Sequence, residues 1–198
     1  MVSKLLIVVL TTIFLVGCGA ANYNVPSAVT EDKIINNDQM AYAIFSTEAL
    51  GAGRGDPIFE YFPKTQTFKL VTIITSYQKY IYPMPAGTHY FYSMGGETYD
   101  FVKIKAAKGK KYYINIDTVF WSFRMTTPIE FVPTTDKDVI QEIEKRALIQ
   151  NNAKTQAWYY KRKDNPKFKA KVKERFEDWK EDDMKDKTLL EKDGFNIK

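Results

Sequence analysis

The sequence predicts a mainly β protein: a small antiparallel β-sandwich followed by a charged α-helical C-terminal extension. Two observations carry that prediction. Between residues 39 and 133 the chain is a series of short runs rich in Tyr, Phe, Ile, Val and Thr, broken by Gly, Pro, Asn and Asp at the spacing of sandwich strands. From Thr134 onward Lys, Glu, Asp and Gln dominate, and apolar residues return at helical intervals.

The chain divides into four segments: 1–17, 18–38, 39–133 and 134–198. The first has Lys4 and then an apolar core from Leu5-Leu6-Ile7-Val8-Val9-Leu10 to Ile13-Phe14. That core is too short for a stable spanning helix, and its basic start marks an export signal removed on maturation. It ends in Leu15-Val16-Gly17-Cys18, which holds the chain's only cysteine. These four residues resemble the lipobox of bacterial lipoproteins. The resemblance implies that Cys18 is diacylated on sulfur, becomes the new N-terminus and anchors the protein to a membrane. Gly19, rather than Asp, follows that cysteine, which implies the outer membrane. The small residues Gly19-Ala20-Ala21 also permit an ordinary signal cleaved after Ala20 or Ala21. A single cysteine allows no intrachain disulfide, so stability must come from packing, to which an aromatic fraction of 15% is suited.

Residues 18–38 are small and polar, with Asn22, Asn24, Pro26, Ser27, Asn36 and Asn37, and read as a lipidated tether. A short strand or helix within 29–35 would shorten its reach.

The β region supplies nine expected strands: 40–47, 58–62, 67–75, 79–82, 88–93, 99–106, 111–117, 119–125 and 129–132. Val102, Ile104 and Ala106 alternate with Lys103 and Lys105, and Tyr112, Ile114 and Ile116 alternate with Tyr113, Asn115 and Asp117. A period of two sends the first member of each set to a core. Turn chemistry sits between runs at Pro85-Ala86-Gly87, Gly95-Gly96 and Lys108-Gly109-Lys110.

Pro83-Met84-Pro85-Ala86-Gly87-Thr88-His89-Tyr90-Phe91-Tyr92, followed by Ala107-Lys108-Gly109-Lys110-Lys111-Tyr112-Tyr113-Ile114, resembles uncharacterised bacterial lipoprotein domains. Those carry a prealbumin-like or carboxypeptidase-regulatory-like β-sandwich. In them one strand opens with Pro-x-Gly-x-His and aromatic residues, and a later one with Ala-x-Gly-x-x-Tyr-Tyr-Ile. The resemblance covers roughly 50 residues and implies a fold but no activity.

In the extension, Thr135 is positioned to cap a helix bearing Val139, Ile140, Ile143, Ala147 and Leu148 and reaching towards Tyr160. Asn165-Pro166 restarts a helix, a capping residue ahead of a first-turn proline. Its residues Phe168, Val172, Phe176 and Trp179 form one apolar stripe that needs a cover, either the chain's own sandwich or a partner. The stretch 186–198 has no clear period and is expected to fray.

Reactive constellations are sparse. Ser76-Tyr77-Gln78-Lys79 has the Ser-x-x-Lys spacing of serine acyl-enzymes, but its flanks are strand-like and neither Ser-Asp-Asn nor Lys-Thr-Gly occurs. His89 is the only histidine, so multi-histidine metal sites are excluded; one cysteine excludes a thiolate zinc site. Gly51-Ala52-Gly53-Arg54-Gly55-Asp56-Pro57 lacks the glycine spacing of a phosphate loop and reads as a turn. The acidic run Glu181-Asp182-Asp183 lies beside Lys180 and Lys185 and reads as a solvated face. Aromatics near Phe120-Trp121-Ser122-Phe123 and Tyr90-Phe91-Tyr92, with Asn115 and Asp117, would suit a sugar ring if exposed, and a sandwich core otherwise.

A formal charge of +5 is assigned to interspersed Lys, Asp and Glu and reads as a soluble surface, the alternative being a weak attraction to anionic lipid, lipopolysaccharide or wall polymer; nucleic acid is not an expected partner of an exported, anchored chain. No enzyme activity and no cofactor is expected. The function expected is an outer-membrane-anchored, non-enzymatic protein-interaction or envelope-structural lipoprotein, with Cys18 as the lipidation site, Phe168, Val172, Phe176 and Trp179 as interaction candidates, and another envelope protein as partner. The alternative is a glycan- or peptidoglycan-binding lipoprotein.

Overall fold

The computed structural model describes residues 23–48, 55–95, 98–118 and 129–197. In chain order its elements begin with β1 (Asn24–Pro26), α1 (Glu31–Ile34), β2 (Met40–Thr47), β3 (Asp56–Phe62), β4 (Thr67–Ile74), β5 (Gln78–Pro85), β6 (Gly87–Gly95) and β7 (Thr98–Ala106). They continue with β8 (Lys110–Thr118), β9 (Ile129–Thr134), α2 (Lys137–Lys145), β10 (Ala147–Asn151), α3 (Ala153–Tyr160), α4 (Pro166–Asp182), β11 (Thr188–Leu189), a 3-10 turn (Glu191–Asp193) and β12 (Phe195–Asn196).

The protein is mainly β, with two sheets stacked as a sandwich. The first has seven strands in the order β1-β10-β5-β2-β8-β12, with β9 also paired to β8; the second has five, in the order β11-β7-β6-β3-β4. Most pairs are antiparallel, as alternation and short turns require. Three are parallel, β2 with β8, β10 with β5 and β11 with β7, so both sheets are mixed. The β7–β8 turn needs Gly109, whose φ of 67° lies in the left-handed region.

Between the sheets lie Ala41, Ala43, Phe45, Ile58, Phe91, Val102, Ile104, Tyr112, Ile114 and Phe131. Both expected alternations hold there, while Lys103 is half-buried and Lys105 exposed. The outer faces are apolar too. Ile34, Ile35, Val139, Ile140 and Ile143 from α1 and α2 cover Tyr42, Ile44, Ile81 and Tyr113 of the first sheet. Trp158, Tyr159, Phe168, Val172, Phe176 and Trp179 from α3 and α4 cover Phe59, Tyr61, Phe68, Tyr92 and Phe101 of the second. The result is four layers, helix, sheet, sheet, helix. Burial on two faces explains why β2 is buried from Ala41 to Thr47, with no polar residue before Ser46.

The extension differs from its sequence reading in three ways. It is not continuous helix from Thr135 to Tyr160: α2 ends at Lys145 and residues 147–151 form β10. Ile149 points into the inter-sheet core while Leu148 packs under α2, a period of two that a helix cannot satisfy. The first cap is Asp136, not Thr135, with its carboxylate accepting from the amides of Asp138 at 2.8 Å and Val139 at 3.4 Å. Asn165 and Pro166 do open α4, the Asn165 side chain accepting from Lys167 N at 3.0 Å and Phe168 N at 3.2 Å. The end of the chain adds an edge strand to each sheet, with Leu189 in the inter-sheet core.

The described part of the expected tether is docked. β1 runs antiparallel to β10, Asn24 Nδ2 donates to the Ile73 carbonyl, and Glu31 pairs with Lys79 at 2.7 Å. The expected strand 119–125 and Cys18 lie outside the described residues.

Candidate functional site

Alternation along β3 places Glu60 on the same face as Ile58, looking into the sandwich. An isolated carboxylate there requires partners, and three elements supply them. Tyr82 of β5 donates to Glu60 Oε2 at 2.7 Å, and His89 Nδ1 of β6 lies 2.6 Å from Glu60 Oε1. Lys69 of β4 donates to the Tyr82 hydroxyl at 3.2 Å, and His89 Nε2 faces the Pro85 carbonyl at 2.9 Å. Burial works to raise the Glu60 pKa, but the His89 and Tyr82 hydrogen bonds and the nearby His89 and Lys69 side chains hold it below the ordinary value. The Tyr82 hydroxyl is pushed far up by burial and by its bond to that carboxylate.

Glu60 and His89 of this network line an open cleft of about 820 Å³ between the β3–β4 turn, β6 and α4. Phe62 is 39% exposed there and Tyr90 is half-buried, so the cleft shows aromatic edge. Lys64, Lys103 and Lys180 bring positive charge, and Glu177, paired with Lys180 at 2.5 Å, the opposite sign. Clefts of this size are typical of small-ligand sites.

The four stripe residues are brought together on one helix face. Val172, Phe176 and Trp179 are buried against the second sheet, and Phe168 is partly buried among Phe59 and Phe68. Phe176 also backs the cleft. The stripe is therefore covered by the chain's own sandwich. Among the described members of the set considered for a sugar ring, Phe91 lies between the sheets, Tyr92 lies under the helices, Tyr90 lines the cleft, and Asn115 is on the first sheet bound by Arg146 and Asp117. Residues 120–123 and 51–54 lie outside the described residues. The Ser-x-x-Lys pair is not an acyl-enzyme pair, because the Lys79 ammonium is committed to Glu31 and Glu144, each at 2.7 Å.

That Lys79 cluster was not foreseen. Burial alone would lower the lysine's pKa, yet bonds to Glu144 and Glu31 raise it. Glu144, against its own burial, is held down to about 2 by Lys79, Tyr113 and Lys111. A third buried charge, Asp100, accepts from Phe101 N at 2.9 Å and Phe131 N at 2.5 Å and pairs with Lys187 at 2.7 Å; burial outweighs these and raises its pKa. These charges tie α1, α2 and the C-terminal strands to the sheets.

Among the described residues no group of three or more His, Cys, Asp and Glu is placed to hold a metal, and no helix is long and apolar enough to cross a membrane. No protein-family model and no curated protein matches the chain.

Proposed function

We propose that the chain is an outer-membrane lipoprotein, anchored through Cys18, that acts without catalysis by presenting its sandwich to another envelope component. The single observation that carries this reading is Leu15-Val16-Gly17-Cys18 closing a short apolar run. With two or three acyl chains, at about 0.8 kcal/mol per buried methylene, such an anchor holds stably. The helix stripe is covered, so the partner contact falls to the polar outer surface and the loops. Membrane fractionation and intact-mass measurement test the anchor. The wild type should carry an acyl mass increment that Cys18→Ala lacks, and a wild type without it ends the reading.

One observation favours glycan or peptidoglycan as the component bound. The cleft beside α4 pairs the aromatic edges of Phe62 and Tyr90 with Lys64, Thr65, Thr88 and Lys103, which suits a sugar bearing acidic substituents. Titration with soluble peptidoglycan fragments should shift the resonances of these residues, and Tyr90→Ala should abolish the response. Unchanged spectra at saturating fragment would exclude the cleft as a glycan site.

A further inference from the structure

The positive charge is not interspersed along the folded chain. Within residues 154–173 stand Lys154, Lys161, Arg162, Lys163, Lys167, Lys169, Lys171 and Lys173, against the single acid Asp164. The whole chain carries only +5, so the remainder is net negative. These residues occupy α3, the turn at 161–165 and the first half of α4, on one edge of the helical layer over the second sheet. Lys154, Lys161, Lys167 and Lys173 are exposed. Asp164 is already taken by Lys163 at 2.5 Å.

Helix stability does not account for this placement. α4 has no acid in its first turn, where Lys167 and Lys169 stand, and its last turn holds Glu181 and Asp182 beside the single cation Lys180. That polarity is the reverse of what the helix dipole favours. Aromatic side chains accompany the cations: Tyr160 is 63% exposed, and the Arg162 guanidinium stacks 4.2 Å from the Trp158 ring. Tyr and Trp beside basic side chains are the composition of membrane-interface surfaces, with Tyr160 exposed here and Trp158 half-buried under Arg162.

The position of the N-terminus supplies a second, independent argument. The first described residue, Tyr23, sits at this edge: Thr155 Oγ1 donates to the Tyr23 carbonyl, and the Tyr23 ring packs in the same cluster as Trp158, Tyr159 and Phe168. Cys18 precedes Tyr23 by five residues, a reach of about 17 Å at full extension. An eight-residue α3 is about 12 Å long. A lipid on Cys18 therefore cannot lie far from the basic edge.

We propose that the edge formed by α3, the 161–165 turn and the first half of α4 rests on an anionic phospholipid surface, seating the domain against the membrane that holds Cys18. The placement argument rests on the lipoprotein reading; the charge argument does not. A lipid-free chain of residues 19–198 contains every described element, so it can be tested without the anchor. It should cosediment with vesicles of phosphatidylcholine containing one-third phosphatidylglycerol, release in high salt, and ignore phosphatidylcholine alone. Each basic residue removed should weaken binding about fivefold, equivalent to the roughly 1 kcal/mol a basic side chain contributes at such a surface. Lys161→Ala, Lys167→Ala and Lys173→Ala together should lower affinity on the order of a hundredfold at unchanged melting temperature. Lys33→Ala with Lys137→Ala, on the opposite helical layer, should leave it intact.

Equal binding to neutral and anionic vesicles, no binding to either, or equal loss in both sets of variants would overturn the proposal. Tighter capture of a soluble polyanion such as heparin than of the vesicles would overturn it in favour of an acidic polymer. Full binding of the lipid-free chain, together with a wild-type protein from cells that carries no acyl group, would fell the anchor reading and leave the surface standing.

Discussion

Tyr82 of one sheet donates a 2.7 Å hydrogen bond to Glu60 Oε2 of the other, a polar contact across the apolar core. Lys69 and His89 surround the pair, so neither Tyr82 nor Glu60 is buried without partners. The two sheets are thus held by more than nonpolar contact at the edge that borders the cleft.

The first prediction concerns pH. Glu60 is held below its ordinary value of 4.5, so its stabilising contribution is complete above that value and is lost as pH falls through the lower, folded value. Tyr82→Phe removes a bond to a charged group and should cost about 1.5–3 kcal/mol at neutral pH. Urea unfolding at pH 7 and pH 3 should show that cost shrinking with acid. A Tyr82→Phe penalty equally large at pH 3 would mean that the carboxylate's charge plays no part.

A second prediction concerns Lys79, which holds the carboxylates of Glu31 and Glu144 from beneath α1 and α2. Lys79→Met leaves those two acids with Lys111 as the remaining cation, at 3.7 Å from Glu31 and 3.4 Å from Glu144, so the cost falls towards or below the lower end of the about 3–5 kcal/mol for breaking a buried ion pair. Glu144 is held down to about 2, so wild-type stability from this cluster persists below pH 4.5 and fades as pH falls towards 2. The variant should lose that difference at low pH, where protonated acids no longer repel. Denaturant midpoints measured from pH 7 to pH 2 for both proteins check this.

These two sites show what the sequence discloses and what it withholds. Glu60 is absent from the sequence reading although a signal for it exists: it is the only charge in Ile58-Phe59-Glu60-Tyr61-Phe62, and an acid inside such a run marks a buried, partnered group. The Lys79 cluster has no such signal, because its acids stand 48 and 65 residues away and reach it only after α1 and α2 fold onto the sheet. Strands β2 and β7 are clear from local pattern. β10 is hidden because five residues between two helices carry too short a period to distinguish strand from helix, and its parallel pairing with β5 depends on the whole sheet. The cleft draws Phe62, Tyr90 and Lys180 from distant elements and has no local signature.

The stripe supplies a third prediction. Phe176 packs beside Tyr61, Tyr90 and Phe101, and Trp179 beside Phe101. Phe176→Ser with Trp179→Ser should lower stability by at least about 4 kcal/mol and the melting temperature by roughly 10 °C. A melting curve within a degree or two of wild type would show that α4 does not cover the second sheet in solution.

The last prediction follows from the way the extension enters both sheets. Composition divides the chain at Thr134, and a fragment of residues 38–133 holds β2 to β8 and most of β9. It lacks β1, β10 and β12 from the first sheet, β11 from the second, and all the helices that cover the outer faces. Tyr42, Ile44, Tyr113, Phe59, Tyr92 and Phe101 would then face water, and a buried large side chain contributes about 1.5–3 kcal/mol each, a sum comparable to the whole stability of about 5–15 kcal/mol common to domains. The fragment should aggregate or show no cooperative thermal transition, while residues 19–198 melt as one unit. Circular dichroism and size-exclusion chromatography on both would decide. A monomeric, cooperatively melting fragment would mean that the sandwich stands alone and that the helical layers are additions to a finished domain.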